Sequence, residues 1–335
     1  MSMRPRHMIR TLIEALAVLP LLFMLASTVS AQTLVLRFAH NLSATEPFHV
    51  AAEKFAADVA AKSNGQIKIT VYPNEQLGAN KEMLELVKQG ANIITLTDSG
   101  YMADFVPDFG ILQGPYLLKD PADFKKILAS DLYKELVASA KAKGLMPLAF
   151  NWYIGSRQVI GNRAIRNVGD FKGLSLRAPP IPMYVKTVEL LGARPVTLPW
   201  SEVYTGLSQG VVDAAEAPLP TILGTKLYEV RDTVSLTGHF AAFLGIIMNA
   251  QVYDKLTAAQ KSILASEGQA AGDYLMKLTL DKEQSVKADL EKRGVKIITP
   301  SGIEQFQRAT APVYTEFPKW TPGLYDRVQK ILQYK

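Results

Sequence analysis

Phe171-Lys172-Gly173-Leu174-Ser175-Leu176-Arg177-Ala178-Pro179-Pro180 is the stretch on which the fold turns. Leu174 to Leu176 follows a glycine and reads as a short strand. The strand delivers Arg177 and stops, because the two prolines cannot continue a hydrogen-bonded ladder. In open α/β sheets ligands sit beyond the carboxyl ends of strands, which is where this arginine falls. A guanidinium offers a fixed fork that matches a carboxylate bidentately. The competing reading is a surface arginine in an ion pair.

The flanking chain supplies the sheet that such a strand needs. Thr33 to Ala39 reads as a strand, and Pro47 to Ala61 as a helix with Phe48, Ala52, Phe55 and Val59 on one face. Ile67, Ile69 and Val71 alternate with polar residues, a half-buried strand ending at Pro73. A helix over Lys81–Gln89 closes at Gly90, and Ile93–Thr97 is a short buried strand. Further on come a helix over Leu128–Lys143 and a strand over Pro147–Tyr153. A helix over Tyr184–Leu191 and strands at Arg194–Thr197 and Phe243–Met248 follow. Thr257 and Gln260 form a capping box. The helix they open runs to about Arg293, with Gly268 and Gly272 as weak points, and is long enough to brace two lobes. Val295–Ile298 is a strand, and the tail from Ile303 is mostly helical. Strands alternating with helices give an α/β fold with largely parallel sheet.

One segment echoes another. Leu77 through Asp98 reads as loop, helix, Gln89-Gly90, buried strand, acid; Leu198 through Glu216 repeats that order around Gln209-Gly210. Two lobes built on one unit would each aim strand ends at a shared cleft. Because such units recur in all α/β folds, chance similarity is the alternative.

Residues 1–31 have the form of a signal peptide. Arg4, Arg6 and Arg10 precede an apolar run from Leu12 to Ala26, and Val29-Ser30-Ala31 sets small residues before Gln32. The run is short for a membrane span; a retained N-terminal anchor is the alternative. An exported, periplasmic protein is expected. Removing the segment lowers the formal charge from +6 to +4. That mild charge is spread along the chain and does not suggest nucleic acid. With no cysteine, stability rests on the core alone, and thiol catalysis and zinc–thiolate sites are excluded. Three histidines follow the signal segment, His40, His49 and His239. No nucleophile elbow, phosphate loop, dinucleotide fingerprint, metalloprotease helix or calcium loop is present. Carboxylates are plentiful, but nothing pairs them at a recognisable spacing, so an enzyme is not expected.

Gly155-Ser156-Arg157-Gln158 follows the strand that ends at Trp152-Tyr153. Then come Arg177, Pro199-Trp200-Ser201-Glu202-Val203-Tyr204 and Asp213-Ala214-Ala215-Glu216-Ala217-Pro218. With Arg37-Phe38-Ala39-His40, Tyr72-Pro73, Gln76-Leu77-Gly78, Asn162-Arg163 and Tyr228-Glu229-Val230, the sequence resembles the DctP-type solute-binding proteins of tripartite ATP-independent periplasmic (TRAP) transporters. The likeness runs from Arg37 to the helical tail.

The resemblance implies a periplasmic-binding-protein-like α/β fold of the class II type. It has two lobes joined by hinge strands and a long bracing helix, with the cleft between them. Residues 32–154 plus 243–282 would form lobe I, and 155–242 plus 283–335 lobe II. It implies that Arg177 makes the bidentate bridge to a ligand carboxylate and that Arg157 is the second cleft arginine. Asn41 falls where the family places a polar ligand contact, Asp98 where it often places an acid, and Trp200 where it packs an aromatic on the ligand. Trp152, Tyr153, His239 and Glu216 are further candidates. A metal beside the ligand, as some relatives use, would fall to Glu216; no cluster demands one, and neither metal nor cofactor is expected.

Three departures bear on the ligand. Ala217 stands where the family often carries an amide, Pro180 where sugar-acid binders carry Asn, and Asn80 where they often carry an acid. Losing these polar groups points away from a heavily hydroxylated ligand, toward a 2-oxo acid or an aromatic or aliphatic monocarboxylate. A sugar-acid or C4-dicarboxylate receptor is the alternative. The implied partners are the small and large membrane permease subunits. A sensor presenting its ligand to a membrane kinase would share the fold, and a carboxylate enzyme using Glu216 or Asp98 as base is the remaining reading.

Overall fold

The computed structural model describes residues 33–334, and the signal peptide expected over residues 1–31 lies outside them. Nine strands form one sheet: β1 (Leu34–Ala39), β2 (Ile67–Tyr72), β3 (Ile93–Asp98), β4 (Leu145–Gly161), β5 (Ser175–Ala178), β6 (Arg194–Thr197), β7 (Ala214–Pro218), β8 (Thr233–Asn249) and β9 (Lys296–Ile298). Their order is β2-β1-β3-β8-β4-β7-β5-β6, with β9 beside β8.

That order is a palindrome. On one side β1 pairs in parallel with β2 and β3, and β3 runs antiparallel to β8. On the other side β5 pairs in parallel with β6 and β7, and β7 runs antiparallel to β4. The echo between Leu77–Asp98 and Leu198–Glu216 is therefore structural, since it builds β3 and β7, the matching strands of two α/β lobes. Parallel neighbours need crossovers, which the helices Pro47–Lys62, Asn80–Lys88, Pro182–Leu190 and Val203–Ser208 supply.

The two long strands, 17 residues each, pass through both lobes. Their antiparallel pairing carries register shifts, one of them between Tyr153 and Ser156. Gly155 sits in that shift at φ +113°, a conformation that suits glycine. The bulge breaks the alternation along β4, so facing before Gly155 does not carry over to Arg157. Only the halves Pro147–Tyr153 and Phe243–Met248 of these strands have the apolar pattern expected from sequence. The other halves carry Thr237, Gly238 and polar residues; the pairing skips from Phe240 to Ser235 and resumes from Ser235 to Thr233.

Each lobe has its own core. In the first, Phe38, Phe48, Phe55 and Trp152 pack edge to face, with ring centroids 5.9–6.3 Å apart for Phe38–Trp152 and Phe55–Trp152. Each such ring contributes about 1.5–3 kcal/mol on burial. The second is built on Phe171, Tyr184, Phe240 and Phe306. The long helix spans Ala258–Lys292. It packs Leu264, Ala271 and Leu275 into the first lobe and Val286 and Leu290 into the second. Gly268 and Gly272 are packing points rather than weak ones. A Cβ on Gly272 would strike the Asn151 side chain of β4, and Asn151 Nδ2 donates to Gln269 O at 2.8 Å and Asp273 Oδ1 at 2.7 Å. The expected helix over Leu128–Lys143 is two, Phe124–Leu128 and Asp131–Ala142, because Ser130 caps the second by accepting from Tyr133 N at 3.3 Å. The tail crosses back: Leu324, Val328 and Leu332 join the first lobe's core, beside Phe109 and Phe124. Among the described residues no helix is long and apolar enough to cross a membrane.

Candidate functional site

A cavity of about 310 Å³ opens at the carboxyl ends of β1, β3, β5 and β7. Asn41 follows β1, Asp98 ends β3, Arg177 lies in β5 before the prolines, and Ala217 lies in β7. All four line it, with Arg157 from β4 and Pro180 and Trp200 from loops. The lining also includes apolar residues (Leu96, Ile154, Ile181, Leu244) and polar ones (Glu75, Asn80, Lys81, Glu82).

The two arginines are held differently. Arg157 forms a fork on Glu216: its Nε bonds Oε2, and its NH2 donates to Oε1 at 2.7 Å and to the Glu216 carbonyl at 3.1 Å. Glu216 has no exposed surface. Burial alone would lower the Arg157 pKa, but the Glu216 charge outweighs it and the net shift is upward. Arg177 spends Nε and NH2 on the Leu198 carbonyl, at 3.0 and 2.7 Å. Its NH1 is left 3.9 Å from Glu216 Oε1. The guanidinium lies over the Trp200 ring, 5.2 Å from its centroid. Arg177 is 3% exposed, and burial lowers its pKa to about 10, with Glu216 opposing and Arg157 assisting.

Asp98 is raised to about 6 by burial. Its Oδ1 accepts from Gly100 N at 2.9 Å, and Tyr184 OH donates to Oδ2 at 3.0 Å. Gln113, with its amide nitrogen turned to the carboxylate, adds a donor 2.8 Å from Oδ1. Asp98 borders the cavity, but its oxygens are already engaged by protein. Asn41 Oδ1 is buried and has no partner, so it is free to accept from a ligand.

Two sequence candidates lie elsewhere. Trp152 is fully buried in the first lobe's core, its Nε1 donating to Gly268 O at 3.0 Å. Tyr153 packs on Phe243, ring centroids 4.9 Å apart, and its hydroxyl meets Ser156 Oγ at 3.1 Å. Trp152 belongs to the core around Phe38 and Phe55, and Tyr153 to the one around Phe124 and Phe243. Glu216 and His239 sit behind the cavity wall rather than on it. His239 Nδ1 bonds Thr237 Oγ1 at 2.7 Å, and its pKa falls to about 3 through burial and then the Arg157 charge. It is a neutral neighbour of Glu216, whose Oε2 is 3.8 Å from Nε2. Sequence reasoning did not find Tyr184, Gln113, Tyr101 or Thr221. Only Tyr184 carried a local signal, as the aromatic of the helix after Pro180. The described residues hold no cluster of metal ligands.

Residues 38–319 match the family model of the bacterial extracellular solute-binding proteins, family 7. The chain is 32% identical over 302 residues to the 2,3-diketo-L-gulonate-binding periplasmic protein YiaO of Escherichia coli, covering 90% of this chain and 91% of that one. Among solved structures it is similar to a TRAP periplasmic solute-binding protein from Ochrobacterium anthropi with bound L-fuconate. That match has TM-score 0.87 and 33% identity, over 90% of this chain and 99% of the other. A third likeness is to a TRAP solute-binding protein from Bordetella bronchispeptica with density interpreted as pantoate. There the TM-score is 0.84 and the identity 28%, over 90% and 99% of the two chains.

Proposed function

The chain belongs to the bacterial extracellular solute-binding protein family 7, the DctP-type receptors of TRAP transporters, and from that membership we propose that it captures a small monocarboxylate outside the cytoplasm, closes around it and delivers it to a two-subunit membrane permease. The observation that carries this is Arg177. A buried guanidinium costs free energy unless its charge is met. Its nearest carboxylate, Glu216, already has both oxygens on Arg157. NH1 is therefore left for an anion in the cavity.

One carboxylate fits better than two. Besides the two arginines the cation on the cavity is Lys81, whose Nζ is 3.1 Å from Asp104 Oδ2. A second ligand carboxylate would face Glu75 and Glu82. The Trp200, Ile154, Pro180, Ala217 and Leu244 wall favours an acid with an apolar body, a 2-oxo acid or an aliphatic or aromatic monocarboxylate. A sugar acid is the second reading, supported by the unpartnered Asn41 Oδ1 and by Asn80 on the same cavity.

The test is a melting-temperature screen with 2-oxo acids, pantoate, aromatic acids, L-fuconate and C4-dicarboxylates. An acid at a hundredfold excess over its Kd stabilises the fold by about 2.7 kcal/mol. The largest shift should come from a monocarboxylate and vanish in Arg177→Ala. A dicarboxylate as best ligand, or an intact response in Arg177→Ala, would sink the reading.

A further inference from the structure

We propose that Tyr184 is a positioning residue for ligand retention: its hydroxyl reaches across the cleft to Asp98 and fastens the second lobe to the first in the closed form. The proposal rests on the receptor reading above and concerns how that site stays shut.

Tyr184 belongs to the second lobe. Its helix, Pro182–Leu190, follows β5 and the prolines after Arg177, and its ring is fully buried in the second core against Phe240, centroids 4.4 Å apart. Asp98 belongs to the first lobe, as the last residue of β3. The bond between them, 3.0 Å long, thus joins one lobe to the other. The partners are fixed from both sides. Asp98 is held by Gly100 N, and Gln113 stands 2.8 Å from its Oδ1 and 2.9 Å from the Tyr184 hydroxyl. The Tyr184 ring lies over the Arg157 guanidinium at 5.1 Å. Beside this bond Gly100 and Ile181 meet so closely that a Cβ on Gly100 would collide with the isoleucine. The lobes can reach this separation only with glycine there.

The chemistry suits a latch. Burial raises the Tyr184 pKa well above 10, so the hydroxyl keeps the proton it donates. Asp98 remains largely ionised at pH 7. A hydrogen bond to a charged acceptor is worth about 1.5–3 kcal/mol. Opening the cleft breaks it whether or not an acid is bound, so its contribution belongs to the closed form alone and appears in release rather than capture.

The absence of cysteine allows spin labels at V50C and V211C, two exposed positions on opposite lobes. Pulsed electron paramagnetic resonance without ligand should show a closed population in the parent. Tyr184→Phe should lower the closed-to-open ratio about tenfold, Asp98→Asn should lower it less, and the double variant no further than Tyr184→Phe alone. In stopped-flow fluorescence with L-fuconate and pantoate, Tyr184→Phe should speed dissociation about tenfold and change association less than twofold. If Tyr184→Phe proves unable to fold, Asp98→Asn carries both measurements. Unchanged distances in the variants, no closed population in the unliganded parent, or association and dissociation shifting together would overturn the latch. If neither acid binds the parent, the ligand assignment is at fault, and the ligand-free distances still decide the latch.

Discussion

Arg157 and Arg177 line one cavity, carry one charge each and are both buried, yet they serve different masters. Arg157 is matched on Glu216 within the protein. Arg177 leans on a backbone carbonyl, its charge held open. One guanidinium is neutralised within the protein, and the other is the one proposed above to meet a ligand. Two like residues at one site are thus told apart by what already neutralises them, not by position.

That contrast can be broken in the laboratory. The largest effect should come from Glu216→Ala. It strands the buried Arg157 and should cost about 3–5 kcal/mol of unfolding free energy, read by denaturant titration; a loss under about 1 kcal/mol would dissolve the distinction. Arg177→Ala should do the reverse, lowering affinity for the best acid about a hundredfold or more by calorimetry while moving the melting temperature by less than about 3 °C.

Glu46 is a milder test, because it also crosses the cleft: Thr221 Oγ1 donates to its Oε2 at 2.7 Å. Burial raises its pKa from 4.5 to about 7. Stability linked to its protonation is therefore present below about 4.5 and lost as pH rises through about 7. Glu46→Gln removes that dependence. The variant should gain on the parent between pH 5 and pH 8 by up to about 3 kcal/mol, and a pH-independent gap would refute the assignment. The smallest effect is spectroscopic. His40 and His239 are lowered to about 3, chiefly by burial. Their imidazole resonances should stay still from pH 8 to pH 5, and a His239 titration near pH 6.5 would mean the Arg157–Glu216 pair is not the closed unit described.

Much of this was legible in the sequence, and what escaped shares one cause. Arg177, Ala217, Asn41 and Asp98 lie at or next to strand ends and Pro180 and Trp200 on the loops that follow strands, and these places follow from periodicity and prolines. Gln113, Thr221 and Glu46 owe their roles to contacts between lobes, which no local pattern encodes, and Tyr184 showed only as an aromatic on the helix after Pro180. Trp152 and Tyr153 misled because they lie next to the cavity-lining Ile154 in sequence yet are taken up by the aromatic clusters around Phe38 and Phe243. The polar halves of β4 and β8 lacked a strand signature because pairing on both edges, rather than propensity, holds them in the sheet.

The two shared strands have a consequence for how the molecule is made. β3 finds its outer partner only in β8, and β4 runs between β8 and β7. Until the chain extends past Asn249, the first lobe has an unpaired edge through its middle, a surface that invites association with other chains. Its remaining core residues, Leu324, Val328 and Leu332, arrive later still. The lobe begun first is thus finished last, and a chain cut short just before Leu324 lacks the last core residues of the first lobe.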